Sequence, residues 1–315
     1  MGRWLILSFK RPMFVSCLKQ IGFPGNTDSI TKTIGAPPIS FEFSRIMSGF
    51  ENLIAVFRII AFVLWTMFWL PVQVVVLAFD MRLSWLIPKL YHQGNCLILG
   101  LQVICHGVPA GASPVLFVSN HVSYLDIVVL AAHLEASFVA KREVAHWPLF
   151  GLLARLNRTV FVQRKAGRSG IYRDEMRHRL AGGKSLILFP EGTSSDGNRV
   201  LGFNSTFFSV AETGMKGKPV RVQPVAIAYT QLNGLPVGRS RRPFFAWYGD
   251  MDLVSHLWTV LGQGVVTVEL AFLPYVTMEH YSSRKDMARD CQSMVAACVS
   301  DMLGGQPIRL VQAST

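Results

Sequence analysis

His121 and Asp126 are the residues whose types and spacing suit acid–base chemistry. A carboxylate can hold one imidazole nitrogen as N–H and support the imidazolium, leaving the other nitrogen free to take a proton. The pair is then a base with no nucleophile of its own, suited to a hydroxyl carried by the substrate. The spacing alone is not specific, because a His satisfied in a turn beside an Asp capping a helix reads the same way. Its setting adds weight. Residues 115–118 are an apolar run that predicts a buried strand. Ser119 and Asn120 break it, and residues 124–134 predict a short apolar helix. The pair therefore falls where a strand hands over to a helix, a place where side chains face a cleft.

Two further polar loops also follow apolar strands. Arg164 and Lys165 follow a strand at 159–162. Glu191, Gly192, Thr193 and Ser194 follow a strand at 185–189. Ligand sites of α/β sheets lie at such strand ends. Together the three loops offer a base, cations for an anion, and a carboxylate beside a flexible glycine backbone. Further strands are expected at 136–140, 220–229 and 265–272, and helices at 149–156, 170–180 and 284–303. This alternation predicts an α/β domain with a mixed sheet flanked by helices. The catalytic domain is placed at 106–278, with a C-terminal helix and tail at 279–315.

Of the 315 residues 50% are hydrophobic and 16% charged, and the net charge is +12. So apolar and charge-poor a chain points to a membrane. The positive charge calls for an anionic partner, either nucleic acid or an anionic lipid surface. The apolar excess and the absence of any nucleic-acid motif favour lipid. Five cysteines, an odd count without a CxxC pair or Cys/His metal spacing, predict a reducing compartment and no structural disulfides. Between residues 59 and 79 only Thr66 and Gln73 are polar, enough chain to cross a hydrocarbon core, which needs about 20 residues. Pro71 allows a kinked pair of half-helices in one leaflet as the alternative, and Trp65, Trp69 and Trp85 suit an interface. Membrane anchor and connecting helices are thus placed at 47–105. Residues 1–46 are expected to be a poorly ordered extension, or a stretch upstream of the natural start at Met47.

Four blocks in order resemble the glycerolipid acyltransferase family, which includes the 1-acylglycerol-3-phosphate acyltransferases. Asn120-His121-Val122-Ser123-Tyr124-Leu125-Asp126 matches its Asn-His-x-x-x-x-Asp block. Phe161-Val162-Gln163-Arg164 is similar to Phe-Ile-Asp-Arg. Phe189-Pro190-Glu191-Gly192-Thr193-Ser194 is similar to Phe-Pro-Glu-Gly-Thr-Arg, and Gln223-Pro224-Val225-Ala226-Ile227 to its apolar-Pro-apolar-Ala strand. The resemblance covers residues 95–275. It implies that His121 is the general base and Asp126 orients it. The acyl group would pass directly from an acyl-carrier-protein or acyl-CoA thioester, with no metal and no other cofactor. Backbone N–H groups near the third block would stabilise the oxyanion. Arg164 would bind an acceptor phosphate or another anion, and Asn120, Glu191, Gly192 and Thr193 would border the acceptor's polar head. The implied partners are a membrane lipid acceptor, acyl carrier protein and an anionic membrane surface. The implied location is a bacterial inner membrane, with the catalytic domain on the cytoplasmic side.

Two departures bear on the acceptor. Ser194 stands where the family often has Arg, and Gln163 where it often has Asp. Arg199 can supply the missing cation from the same loop. Alternatively the acceptor is a lyso-ornithine lipid, since the run from Glu191 to Leu201 and the run from Trp247 to Asp252 resemble that branch. A non-catalytic lipid-binding or scaffold protein on the same fold is the rival reading, and the intact His121/Asp126 pair argues against it. A serine hydrolase would need a Gly-x-Ser-x-Gly elbow, which the chain lacks.

Overall fold

The computed structural model describes residues 39–79, 86–111, 114–147, 150–162, 169–212 and 219–308. The chain divides into two compact units, Met1–Phe50 and Glu51–Thr315. Of the first, only the opening turns of a helix are described. That helix, α1 (Ile39–Ala78), begins inside the stretch expected to be an unstructured extension and continues through Pro71. α2 (Leu86–Leu99) follows, and then β1 (Leu101–His106) and β2 (Val115–Ser119). Next come α3 (Leu125–His133), β3 (Ser137–Lys141), α4 (Phe150–Leu156), β4 (Val160–Val162), α5 (Ser169–Ala181) and β5 (Leu186–Leu188). The chain closes with β6 (Arg221–Leu232), β7 (Leu235–Pro236), α6 (Leu253–Leu261), β8 (Val266–Phe272) and α7 (Arg284–Gly304).

The strands form one mixed sheet in the order β1-β8-β6-β2-β5-β3-β4, with β7 paired to β6. β6, β2, β5, β3 and β4 run parallel. β8 is antiparallel to β6, and β1 is parallel to β8. Every residue of β2 is buried, so its alternation separates two apolar faces rather than one apolar and one wet face. Phe117 and Ile187 point to one side, where they meet α2 and α3 through Leu99, Val129 and Leu130. Leu116, Val118, Leu186 and Leu188 point to the other, against Met176 and Leu180 of α5 and Met287 and Cys291 of α7. Helices on both faces leave the sheet's edge as the place where polar side chains can gather. Because β2, β4 and β5 are parallel, the loops that follow them leave from one edge.

The segment Gly49–Ala78 of α1 is long and apolar enough to span a membrane, and only 11% of its most apolar window is buried. Thr66, Gln73 and Trp65 within it turn polar atoms toward protein. Thr66 Oγ1 lies 2.9 Å from the Tyr91 hydroxyl, and Gln73 Nε2 donates to the Leu156 carbonyl at 3.1 Å. The Trp65 indole donates to the Tyr91 carbonyl. Leu53, Phe57, Leu64, Met67 and Phe68 remain exposed. Polar groups have no partner in hydrocarbon, so this division is what a lipid-facing helix docked on a protein body requires.

Arg58, which reads in the sequence as a mere flanking charge, fastens α1 to the catalytic body. Its guanidinium donates to the carbonyls of Leu261 at 3.0 Å, Gln263 at 2.7 Å and Gly264 at 3.2 Å. Leu261 O is one of the last carbonyls of α6, at the negative pole of its dipole, and Gln263 and Gly264 lie in the turn just beyond it. Arg58→Ala is therefore expected to cost about 2 kcal/mol of stability. In hydrogen-exchange mass spectrometry it should speed exchange through 253–264 more than elsewhere, and uniform exchange would reject the clamp.

Candidate active site

The turn between β2 and α3 is built around one carboxylate. Asp126 is fully buried, and His121 Nδ1 lies 2.8 Å from its Oδ2. The same oxygen accepts the backbone N–H groups of Val122 at 2.6 Å and Ser123 at 2.9 Å. The other oxygen, Oδ1, accepts the Tyr229 hydroxyl at 2.6 Å. Four donors on one desolvated carboxylate hold it in one place and offset the cost of burying its charge. Within the dyad only His121 reaches solvent: its side chain is 21% exposed, and that of Asp126 is 0%. Phe189 stacks on the imidazole with ring centroids 4.1 Å apart and planes 16° off parallel. Ring plane and Nδ1 are thereby both fixed, and Nε2 is the nitrogen left for chemistry.

Two other contacts tie this turn to its neighbours. Asn120 is buried, its amide donating to the Ile227 carbonyl at 3.0 Å and accepting the Ile227 N–H at 2.9 Å. These bonds extend the β2–β6 pairing past the end of β2. Ser195 N–H donates to the His121 carbonyl at 2.8 Å, which brings the third block against the first.

Glu191 stands beside the dyad. Its Oε1 accepts the His121 N–H at 3.3 Å, and its Oε2 is buried without a protein partner. Burial pushes its carboxyl up to about 8, against the opposing pull of the His121 and Leu201 amides, with the nearby Asp126 charge adding to the rise. Gly192 takes a positive φ of 76°, and its N–H donates to the Phe189 carbonyl at 3.2 Å. The amides of Gly192 and Ser195 are thus engaged within the protein, which bears on the expected use of this loop as an oxyanion donor. Thr193 is exposed next to them.

Arg199 lines a small cavity together with Asn120 and Val122 of the dyad's turn, Tyr229 and Arg242. It also helps keep the Asp196 carboxyl below its usual range. Asp196 itself accepts the Asn198 backbone N–H at 3.0 Å in a local turn. Arg164 falls in 163–168, outside the described residues; the strand before it, β4, is separated from β5 by β3. Ser194, at the position expected to hold a phosphate-binding Arg, donates its hydroxyl to the Trp247 carbonyl. Trp247 N–H in turn donates to the Val122 carbonyl at 3.0 Å, so the loop before α6 is bonded to both the first and the third block.

Tyr229 is the residue that motif reading missed. It had a signal: a tyrosine inside a strand that is otherwise apolar must place its hydroxyl somewhere, and when buried it finds a partner. Trp247 opens a run that the sequence marked by resemblance, but its backbone bonds to Ser194 and Val122 appear only in the fold.

The profile of the acyltransferase family matches residues 102–228. The lyso-ornithine lipid O-acyltransferase of Rhizobium meliloti is 41% identical over 241 residues, spanning 75% of this chain and 82% of that protein. The chain belongs to the acyltransferase family. The lyso-ornithine lipid O-acyltransferase of Brucella abortus is 40% identical, over 70% of this acyltransferase and 85% of its own length. The 1-acyl-sn-glycerol-3-phosphate acyltransferase of Neisseria gonorrhoeae is 31% identical, over 65% and 76%. The acyltransferase also shares its fold with the crystal structure of the 1-acyl-sn-glycerophosphate acyltransferase of Thermotoga maritima. That match has a TM-score of 0.56 at 21% identity, covering 86% of this chain and 99% of the other. Membership of an enzyme family sets aside the non-catalytic scaffold reading.

The raised Glu191 carboxyl has a consequence for stability. The folded protein holds this proton up to about pH 8, whereas the unfolded chain releases it near the usual 4.5. Between those values the folded state binds more protons, so this group's share of stability falls as pH rises, by at most about 1.4 kcal/mol per pH unit. Thermal melts should show Glu191→Gln flattening that decline between pH 5 and 8. An unchanged slope would show the carboxyl to be ionised throughout.

Proposed function

We propose that this acyltransferase moves a fatty acyl group from an acyl-carrier-protein or acyl-CoA thioester to the free hydroxyl of a lyso-ornithine lipid, with His121 as general base. The observation that carries the reading is the His121–Asp126 pair, held at 2.8 Å with only the imidazole open to solvent. His121 Nε2 takes the acceptor's hydroxyl proton as the oxygen attacks the thioester carbonyl. The tetrahedral intermediate collapses, the carbon–sulfur bond breaks, and the imidazolium returns the proton to the departing thiolate. An ester and a free thiol are formed, with no acyl-enzyme. Asp126 keeps Nδ1 protonated and supports the imidazolium. A direct transfer of this kind calls for no metal or organic cofactor besides the acyl donor.

Two features favour the aminolipid over 1-acylglycerol-3-phosphate as acceptor. The relatives named for lyso-ornithine lipid are 41% and 40% identical, against 31% for the phosphate-acceptor relative. Ser194, in place of a phosphate-binding Arg, spends its hydroxyl on the Trp247 backbone. Glu191, bonded through Oε1 to the His121 backbone and with Oε2 unpartnered, is suited to meet the acceptor's polar head, and Arg164 to meet its carboxylate. The apolar α1 would hold the enzyme in a bacterial inner membrane with the catalytic domain on the cytoplasmic side, where both thioester donors occur.

Membranes carrying the protein, given labelled acyl-carrier-protein thioester, should form ornithine lipid from its lyso form faster than phosphatidate from 1-acylglycerol-3-phosphate. The reverse ranking would overturn the acceptor assignment. His121→Ala should lower kcat by at least about 100-fold while membrane association stays intact, in line with the contribution of a positioned base. Transfer that persists would remove His121 from that role. Tyr229→Phe tests the hydroxyl on Asp126. With one donor fewer the carboxylate holds the imidazolium more strongly, so the acidic limb of the kcat/KM profile should move to higher pH with little change in KM. An unmoved limb would mean that Tyr229 serves packing alone.

A further inference from the structure

One exposed apolar band takes no part in the His121 site. α6 has the sequence Leu-Val-Ser-His-Leu-Trp-Thr-Val-Leu, with no acidic residue, lysine or arginine. Its ionisable group, His256, is turned inward to the Tyr124 hydroxyl and the Phe244 carbonyl. Its outward stripe carries Val254, 73% exposed, and Trp258, 39% exposed, one helical turn apart. Tyr248 and Met251 in the loop before it are also exposed, as is Trp147, whose ring meets Trp247 edge-on. Single exposed apolar residues are ordinary, but a contiguous band of aromatic and branched side chains marks a contact surface.

What covers this band follows from where α6 is fastened. The Trp258 indole donates to Asn52 Oδ1 at 2.9 Å. From Asn52 the helical spacing of α1 continues through Val56, Ile60, Val63 and Met67, all exposed and all apolar. Trp258 therefore meets α1 on the face that continues as its bare apolar stripe. Arg58 fixes the C-terminal end of α6, one turn on from Trp258, to the same turns of α1. If α1 lies in lipid along that stripe, its beginning marks the interfacial level, where a tryptophan is favoured.

We propose that α6 and the loop 247–252 seat in the headgroup–acyl boundary of a phospholipid leaflet, as a second membrane-contacting element beside α1. The driving force is apolar burial rather than charge, because Asp250 and Asp252 flank the band. The placement has a consequence for the reaction. Trp247 N–H is bonded to Val122 of the dyad's own turn, so the loop that touches lipid also frames His121. A lysolipid can then present its hydroxyl to His121 with its acyl chain still in the leaflet. The proposal rests on the reading of α1 as a membrane helix and not on the identity of the acceptor.

The test labels the full-length protein at one cysteine at a time, in a Cys17→Ser, Cys105→Ser background. An environment-sensitive fluorophore is placed at Val254→Cys, or at Arg289→Cys on the exposed side of α7 as the reference. In phosphatidylcholine vesicles the label at 254 should shift to the blue and be quenched by lipids spin-labelled near the headgroup. The label at 289 should do neither, and added salt should leave the difference unchanged. A label at 254 that behaves like the one at 289 overturns the proposal, as does a blue shift without lipid quenching, which would point to a second protein copy. A parallel arm measures transfer by Val254→Asp/Trp258→Asp. Transfer to vesicle-borne acceptor should fall roughly tenfold or more, the scale of one lost apolar anchor, while transfer to a dispersed short-chain acceptor persists. Equal loss on both acceptors overturns the proposal. Because quenching needs no acyl transfer, a quenched but inactive enzyme would count against the proposed function and leave the docking surface standing.

Discussion

The structure depends on a single buried carboxylate. Asp126 sits in the first turn of α3 with no exposure to water, and an isolated charge in that position would be very costly. Four donors make it tolerable: the His121 ring, two amides of its own turn, and Tyr229 from β6. Each is supplied by a different requirement of the fold. The amides demand that the chain turn sharply between β2 and α3. The phenol demands that β6 lie beside β2, and that register is locked by the paired hydrogen bonds between Asn120 and Ile227. The catalytic geometry is thus a by-product of satisfying one charge.

The same logic of satisfaction orders α1. It presents a long apolar surface, and within that stretch Arg58, Thr66 and Gln73 each bond to protein. Arg58 goes further and closes the end of α6. The chain therefore carries an apolar helix surface and a sheet edge that holds the His121–Asp126 pair. The loop from Trp247 to Asp252 is bonded to the dyad's turn and leads into α6, which Arg58 ties to α1.

Much of this was legible in the sequence. The order of strands and helices followed from apolar runs of strand length broken by glycine, proline and polar residues. The apolar stretch of α1 announced itself by composition, though its helix starts earlier than the expected boundary at Met47. The placing of His121, Asp126 and Glu191 at strand ends was readable from the apolar runs before them. The bonds of Asn120 were not: an amide at a strand end can face cleft or backbone, and only the position of β6 decides which.

What the sequence determined by itself is therefore local. It set which segments are strands, which turn carries the His–Asp pair, and which helix is long and apolar enough to span a membrane, because these depend on neighbours a few residues away. The tertiary structure decided everything that joins distant segments. Tyr229 meets Asp126 across 103 residues, and Arg58 meets Leu261 across 203. Ser194 meets Trp247 across 53, where a different acceptor chemistry had been read from the same serine. No periodicity reports such contacts, since they exist only once sheet order and helix packing have brought the partners within hydrogen-bonding distance.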